Sequence, residues 1–176
     1  KIFKLMKKNN SDIILLAVKT NKKNEYGRII LDQEGKVKKI VEFKDATNEQ
    51  KKITLCNSGI MLLKSKVLKK LIKKIRPKNK KKEYYLTDII ELANENRFKV
   101  DHIKSDFLKT LGINTKEELA IAEEHFQNTL REKFIFSGVK LLDPKSVFFN
   151  YDTKIGRDVI IEPNVFFGPG VITKKN

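Results

Sequence analysis

The chain has 176 residues, 40% of them apolar, a formal charge of +16 and one cysteine, Cys56. That length allows one domain and part of a second; a single cysteine excludes an internal disulfide framework and fits a reducing compartment, and no apolar run approaches the ~20 residues needed to cross a bilayer. The positive charge is almost all Lys, scattered in pairs such as Lys7-Lys8, Lys22-Lys23, Lys51-Lys52 and Lys69-Lys70, which reads as a solvated surface and not as a clustered nucleic-acid footprint built on Arg.

No signal peptide is visible. The chain does not open on Met, so a leader lost from a longer parent is left open. Ile13 to Lys19 is a short continuous apolar run and is predicted as a fully buried strand. Gly27 to Leu31 and Val37 to Glu42 are strand-like, with residues 32–35 as the turn between them. Ile60 to Leu63 is a further strand, entered from Asn57-Ser58-Gly59. Ser65 to Arg76 is predicted as an amphipathic helix with Val67, Leu68, Leu71, Ile72 and Ile75 on one stripe and Pro77 as its stop. After a polar loop at 78–82, Thr87 is a candidate N-cap for a second helix that fades by Asn94-Glu95-Asn96. Phe98 to Ile103 reads as the next strand. Strands alternating with helices predict a mostly parallel sheet.

A third helix follows. Asn114 and Thr115 are both cap types, and Glu117 and Glu118 stand three residues after each, the spacing of a capping box. Its predicted apolar stripe is Leu119, Ala122, Phe126 and Leu130, and it gives way to a connector near Lys133. Ser137-Gly138 and Asp143-Pro144 punctuate the way into the last segment.

That segment carries a six-residue beat: 155–160, 161–166 and 167–172. Each unit opens on a bulky apolar residue (Ile155, Ile161, Phe167), continues with Gly or an acidic residue, and holds Val in the fifth place. Neither a helical nor a strand period explains a strict six, whereas a hexapeptide β-helix does. The opening residue is expected to point into the coil axis and the second position to take the tight corner.

Four stretches are candidates for chemistry: Tyr26-Gly27-Arg28, Val41 to Ala46, Asn57-Ser58-Gly59 and Glu83 to Asp88. Several fall where ligands gather in α/β sheets, at the carboxyl ends of strands. Taken singly, each also fits a bulge, a solvated strand end, a turn or a cap. Taken in order, the series Tyr26-Gly27-Arg28-Ile29, Ile40-Val41-Glu42-Phe43-Lys44-Asp45-Ala46-Thr47 with Glu49-Gln50, Asn57-Ser58-Gly59-Ile60, Glu83-Tyr84-Tyr85-Leu86-Thr87-Asp88-Ile89-Ile90 and Leu111-Gly112-Ile113-Asn114-Thr115 strongly resembles one family. This is the bifunctional N-acetylglucosamine-1-phosphate uridyltransferase / glucosamine-1-phosphate acetyltransferase of bacteria.

The resemblance implies an α/β fold: a partial Rossmann-like nucleotidyltransferase domain (its C-terminal, sugar-binding half at 1–112), a helical arm and connector (113–146), and the start of a left-handed parallel β-helix (147–176). It implies an enzyme that joins UTP to N-acetylglucosamine-1-phosphate with Mg²⁺, giving UDP-N-acetylglucosamine and pyrophosphate. A second domain of the parent would trimerise and pass acetyl from acetyl-CoA to glucosamine-1-phosphate. The product would feed peptidoglycan and lipopolysaccharide synthesis in the cytoplasm, with no specific nucleic acid and no membrane as partners. By motif, UDP-N-acetylglucosamine contacts carry over to Gly27, Glu42, Asn57 and Asn114, with Thr87 more weakly, and Asn114 matches an Asn that helps hold Mg²⁺. If Asn114 is a metal ligand, Thr115 has to serve as the cap.

The departures are as informative. No Gly-rich stretch precedes Gly27, so the family's triphosphate-cradling loop has no counterpart in these residues, nor have its phosphate-neutralising Lys and metal-binding Asp. Glu25 stands where the family has Gly, which would crowd the sugar side. The acetyl-CoA site lies in later coils. The chain therefore reads as an internal piece that should catalyse neither step. Two rivals stay open: a related sugar-1-phosphate nucleotidyltransferase with a β-helix tail, and a basic nucleic-acid-binding module.

Overall fold

A computed structural model describes residues 2–20, 24–79 and 81–174. The chain opens with helix α1 (Ile2–Asn9), which buries only Met6. The apolar run then becomes strand β1 (Ile13–Lys19). Ile13, Ile14, Leu15 and Ala17 have no exposed surface, and β1 pairs on both edges, with β4 (Leu55–Leu63) and β5 (Val100–Ser105). Strands β2 (Arg28–Leu31) and β3 (Val37–Val41) complete a five-stranded sheet of order β3-β2-β4-β1-β5.

The sheet is not mostly parallel. Only β1 and β5 run parallel; β1–β4, β2–β3 and β2–β4 are antiparallel. A parallel pair needs a crossover of a dozen or more residues. Here β2 turns directly into β3, where Asp32 accepts the backbone N–H groups of Glu34 and Lys36 on its carboxylate at 2.9 Å each. Between β3 and β4 lies only the one-turn helix α2 (Asn48–Lys51), closed by a capping box of Thr47 and Gln50. The full crossover, between β4 and β5, holds α3 (Ser65–Leu71) and α4 (Ile89–Glu95).

These helices put Val67, Leu71, Ile89, Ile90 and Ala93 into the core against Ile13, Leu15, Ile29 and Ile40. Leu68 and Ile72, placed on the same stripe by sequence, stay exposed at 38% and 43%. The helix tightens to a 3₁₀ turn at Ile72–Lys74 and carries only Ile75 back into the core. The side chain of Asn94 donates to the carbonyls of Val37 at 2.8 Å and Lys38 at 2.7 Å, so α4 satisfies part of the open edge of β3. Asn57-Ser58-Gly59 is not a turn ahead of a strand. It lies inside β4 as a bulge, between the pairs Ala17↔Asn57 and Leu15↔Met61, with Gly59 at φ 83°.

Residues Ile113–Asn176 form a second unit with its own core. Helix α5 (Lys116–Phe136) starts at Thr115, whose hydroxyl accepts the N–H of Glu118 while Glu118 accepts from Thr115 in return. It runs three residues beyond the predicted end. Its buried face is Gln127, Leu130, Arg131 and Phe134, whereas Leu119 and Phe126 are 53% and 40% exposed. The apolar pattern misleads here because the helix docks partly through polar groups. The Gln127 amide donates to the carbonyl of Phe149 at 2.8 Å and accepts its N–H at 2.9 Å. The Arg131 guanidinium donates to the carbonyl of Val147 at 3.0 and 3.1 Å.

The six-residue beat appears as stacked short strands. β6 (Lys140–Leu141) pairs parallel with β8 (Ile160–Ile161), and β7 (Lys154–Ile155) with β9 (Ile172–Thr173). Phe148 bridges Phe166 in the same sense. Opening residues Ile155, Ile161 and Phe167 and fifth-place residues Val159, Val165 and Val171 all pack into the core. The corner is not at the second place. Positive φ falls at the fourth, on Asp158 (65°), Asn164 (60°) and Gly170 (73°), and not on Gly156 or Gly168. Asp, Asn and Gly are the residues that enter this region at least cost.

Gln127→Ala strips both main-chain groups of Phe149 of their partner, and an unmade buried hydrogen bond costs about 1–3 kcal/mol. Urea unfolding of the second unit should show a loss of about 2–4 kcal/mol, against less than about 0.5 kcal/mol for the exposed Leu119→Ala. Equal losses would show that the apolar stripe and not the amide clamp seats α5.

Candidate functional site

Four of the sequence-predicted site residues meet on one side of the first unit. Gly27 precedes β2, and its carbonyl accepts the N–H of Asn57 at 2.8 Å. Asn57 is 7% exposed, and its side-chain oxygen accepts the N–H of Gly59 at 3.2 Å, which shapes the bulge in β4. The space beside the Gly27 main chain is taken by two side chains. A Cβ there would lie 2.9 Å from Ile40 Cγ2 and 3.3 Å from Glu42 Oε2. The missing side chain makes room for Ile40 and eases the approach of Glu42.

Glu42 leaves the end of β3 half-buried. Thr87, in a 3₁₀ turn at Leu86–Asp88 and 8% exposed, donates its hydroxyl to Glu42 Oε1 at 2.8 Å. Thr87 is therefore not a helix cap: Asp88 is the first residue of α4's cap and makes no side-chain cap bond. The hydroxyl that would have capped a helix fixes a carboxylate instead. A fixed carboxylate, a buried amide and an approachable main chain form a set of hydrogen-bonding groups suited to sugar hydroxyls and amides.

Beside Glu42 opens a cleft of about 290 Å³ whose walls include Asp45, Tyr85, Asp88, Glu91 and Arg76. Burial, and then the Asp45 and Glu83 charges, hold the Tyr85 phenol above its usual range. Burial, and then the charges of Glu91, Glu42 and Asp45, push the Asp88 carboxyl up. The cleft is mixed in charge, since Lys39, Lys74, Arg76 and Lys78 line it along with these carboxylates. Asp45, Tyr85 and Asp88 belonged to the motif strings but were not singled out from sequence; only the fold shows that they turn toward Glu42.

Asn114 belongs to the second unit, where it is exposed. Its backbone N–H donates to Glu118 Oε2 at 2.7 Å, and Thr115 serves as the cap, so the Asn114 amide is not spent on capping. Among the described residues no group of three or more His, Cys, Asp or Glu is arranged to hold a metal ion. No helix among them is long and apolar enough to cross a membrane.

A family model described as nucleotidyl transferase matches residues 1–108. Relatives named bifunctional protein GlmU include that of Paramagnetospirillum magneticum, 44% identical over 93% of this chain and 36% of its own length. That of Zymomonas mobilis is 39% identical over 90% of this chain and 35% of its own. That of a Wolbachia species from Brugia malayi is 43% identical over 90% and 38%. The chain thus spans little more than a third of the curated relatives it matches, and the resemblance read from the motifs is the one these relatives carry. A solved structure from Entamoeba histolytica, described as a UDP-N-acetylglucosamine pyrophosphorylase, superposes with a TM-score of 0.63 over 95% of this chain and 52% of its own, at 13% identity, a likeness of fold.

Gly27→Ala should cost about 1–3 kcal/mol in urea unfolding, since the new methyl must displace Ile40 or Glu42; unchanged stability would mean that the close approach is slack. For Asp88, whose folded pKa lies above its ordinary 3.8, the folded state keeps its proton when the unfolded state has lost it. Its contribution is fully present below about pH 3.8 and is lost as pH rises through the folded value. Asp88→Asn removes that loss, so its stability advantage over the wild type should grow from pH 4 to pH 7, read as the difference in urea midpoint.

Proposed function

The chain belongs to the nucleotidyl transferase family, and on that premise we propose that it carries the sugar-binding part of an enzyme forming UDP-N-acetylglucosamine from UTP and N-acetylglucosamine-1-phosphate. The observation that carries this reading is the Glu42 carboxylate, held by Thr87 beside the bare Gly27, with Asn57 hydrogen-bonded to the same main chain. In it Glu42 accepts from sugar hydroxyls, Asn57 meets the sugar with its amide, and Gly27 lets the main chain come close. The names of the relatives support the choice of sugar nucleotide.

Asn114 is proposed as a Mg²⁺ ligand and UDP-N-acetylglucosamine contact on the strength of its motif and of an amide left free by the Thr115 cap. One neutral oxygen does not make a Mg²⁺ site. The ion takes six oxygens and leans on carboxylates and substrate phosphates, and no such carboxylate group is assembled among the described residues. These residues do not hold the ion by themselves.

In the second unit, the eighteen-residue offsets of Phe148↔Phe166 and Lys154↔Ile172 support the first coil of a left-handed parallel β-helix. By that reading 1–112, 113–146 and 147–176 are sugar-binding half, arm and coil of a trimeric cytoplasmic parent. That parent would also acetylate glucosamine-1-phosphate from acetyl-CoA and serve peptidoglycan and lipopolysaccharide synthesis.

Titration of the 176-residue chain with N-acetylglucosamine-1-phosphate and with UDP-N-acetylglucosamine, followed by NMR, should show saturable shifts at Gly27, Asn57 and Thr87. Glu42→Ala should weaken both about tenfold or more, the loss expected when a hydrogen bond to a charged group is removed. With UTP, Mg²⁺ and the sugar phosphate, no UDP-sugar should form, since these residues hold no Gly-rich phosphate loop. Turnover would refute that inactivity, and absence of binding would refute the site.

A further inference from the structure

Arg28 is 4% exposed. Among the described residues no carboxylate pairs with it; the ion pairs there are Lys36–Glu34, Lys39–Glu91, Lys64–Asp12 and Arg157–Asp158. A buried charge of this kind is costly unless hydrogen bonds compensate it, so its bonds show what it is kept for. Nη1 donates to the Tyr26 carbonyl at 2.6 Å, to Asn24 Oδ1 at 2.7 Å and to Cys56 Sγ at 3.1 Å. Nη2 donates to the Asn24 carbonyl at 3.2 Å, and Nε reaches the Lys51 carbonyl at 3.4 Å. The guanidinium lies over the ring of Phe43, 5.0 Å from its centre.

Tyr26, Phe43 and Cys56 are the chain neighbours of Gly27, Glu42 and Asn57. Arg28 and Cys56 are also the register pair that joins β2 to β4, and the N–H of Asn57 meets the carbonyl of Gly27 one step along. Side chains alternate across a sheet. Arg28 therefore works from the face opposite the cluster and grips the residue beside each of its three members. We propose that Arg28 is a positioning residue for the sugar site, one that sets the spacing of Gly27, Glu42 and Asn57 without touching the ligand. This rests on the sugar-binding reading above. A planar fork of five donors can serve these acceptors at once, and an ammonium cannot.

The test is NMR titration of the chain with N-acetylglucosamine and, separately, N-acetylglucosamine-1-phosphate. Arg28→Lys keeps the charge and loses the fork. It should retain a dispersed spectrum, shift the resonances of Gly27, Phe43 and Asn57 but not those of β5, and weaken both ligands by the same factor, about tenfold. Asn24→Ala, which removes one acceptor and leaves Arg28 in place, should weaken both in the same direction by less, and it decides the matter if Arg28→Lys does not fold. Unchanged affinity in either folded variant overturns the proposal. So does a loss confined to the phosphorylated sugar, which would make Arg28 a charge for the phosphate. If the wild-type chain binds neither ligand, the sugar-binding reading itself fails and takes the proposal with it.

Discussion

The first unit is organised around a contact that exists only because an atom is missing. Gly27 has no Cβ, and Ile40 and Glu42 occupy the space one would fill. This brings the end of β3 against the start of β2, where Glu42 comes within reach of Thr87 from the crossover. Three segments far apart in sequence are locked by one small residue, one hydroxyl and one main-chain hydrogen bond. A packed interior transmits such constraints because it has little free volume to absorb them.

The cleft beside Glu42 carries both signs of charge: Asp45, Asp88 and Glu91 line it together with Lys39, Lys74, Arg76 and Lys78. Lys39 reaches Glu91 at 3.6 Å with both side chains partly exposed, where such a pair contributes little. Burial first, and then the charges of Glu91, Glu42 and Asp45, raise the Asp88 carboxyl, with Lys78 opposing them.

What the sequence made legible follows from where the physical signal sits. The apolar run at Ile13–Lys19 was plain because a strand covered on both faces must be apolar on both. The Thr115 cap was plain because its chemistry is local. Strand direction was not, since it depends on which helices fill which connection, and α2 is too short to announce itself beyond Thr47 and Gln50. The buried face of α5 was missed because Gln127 and Arg131 are buried through hydrogen bonds, which no hydropathy pattern records. At the site, Gly27, Glu42, Asn57 and Thr87 were found through the ordered motifs, while the grip of Arg28 on their neighbours is a tertiary fact. The hexad was legible, yet its corner was placed two residues early, because Gly156 and Gly168 are more eye-catching than Asp158 and Asn164.

The pairing offsets in the second unit carry a rule for how this segment can change over evolution. Phe148 faces Phe166 and Lys154 faces Ile172, each eighteen residues on, whereas Lys140 at the entry faces Ile160, twenty on; where the eighteen-residue offset holds, an insertion or deletion is tolerated in steps. Losing one residue ahead of them would turn Ile161 or Phe167 outward and bring Glu162 or Gly168 into their place. Losing six would keep the inward set but rotate every later strand onto the wrong side of the stack. Only a whole lap leaves both intact, raising or lowering the column by one strand spacing of about 4.8 Å. Length here is inherited in storeys, and a family growing from such a beginning would vary in height far more readily than in girth.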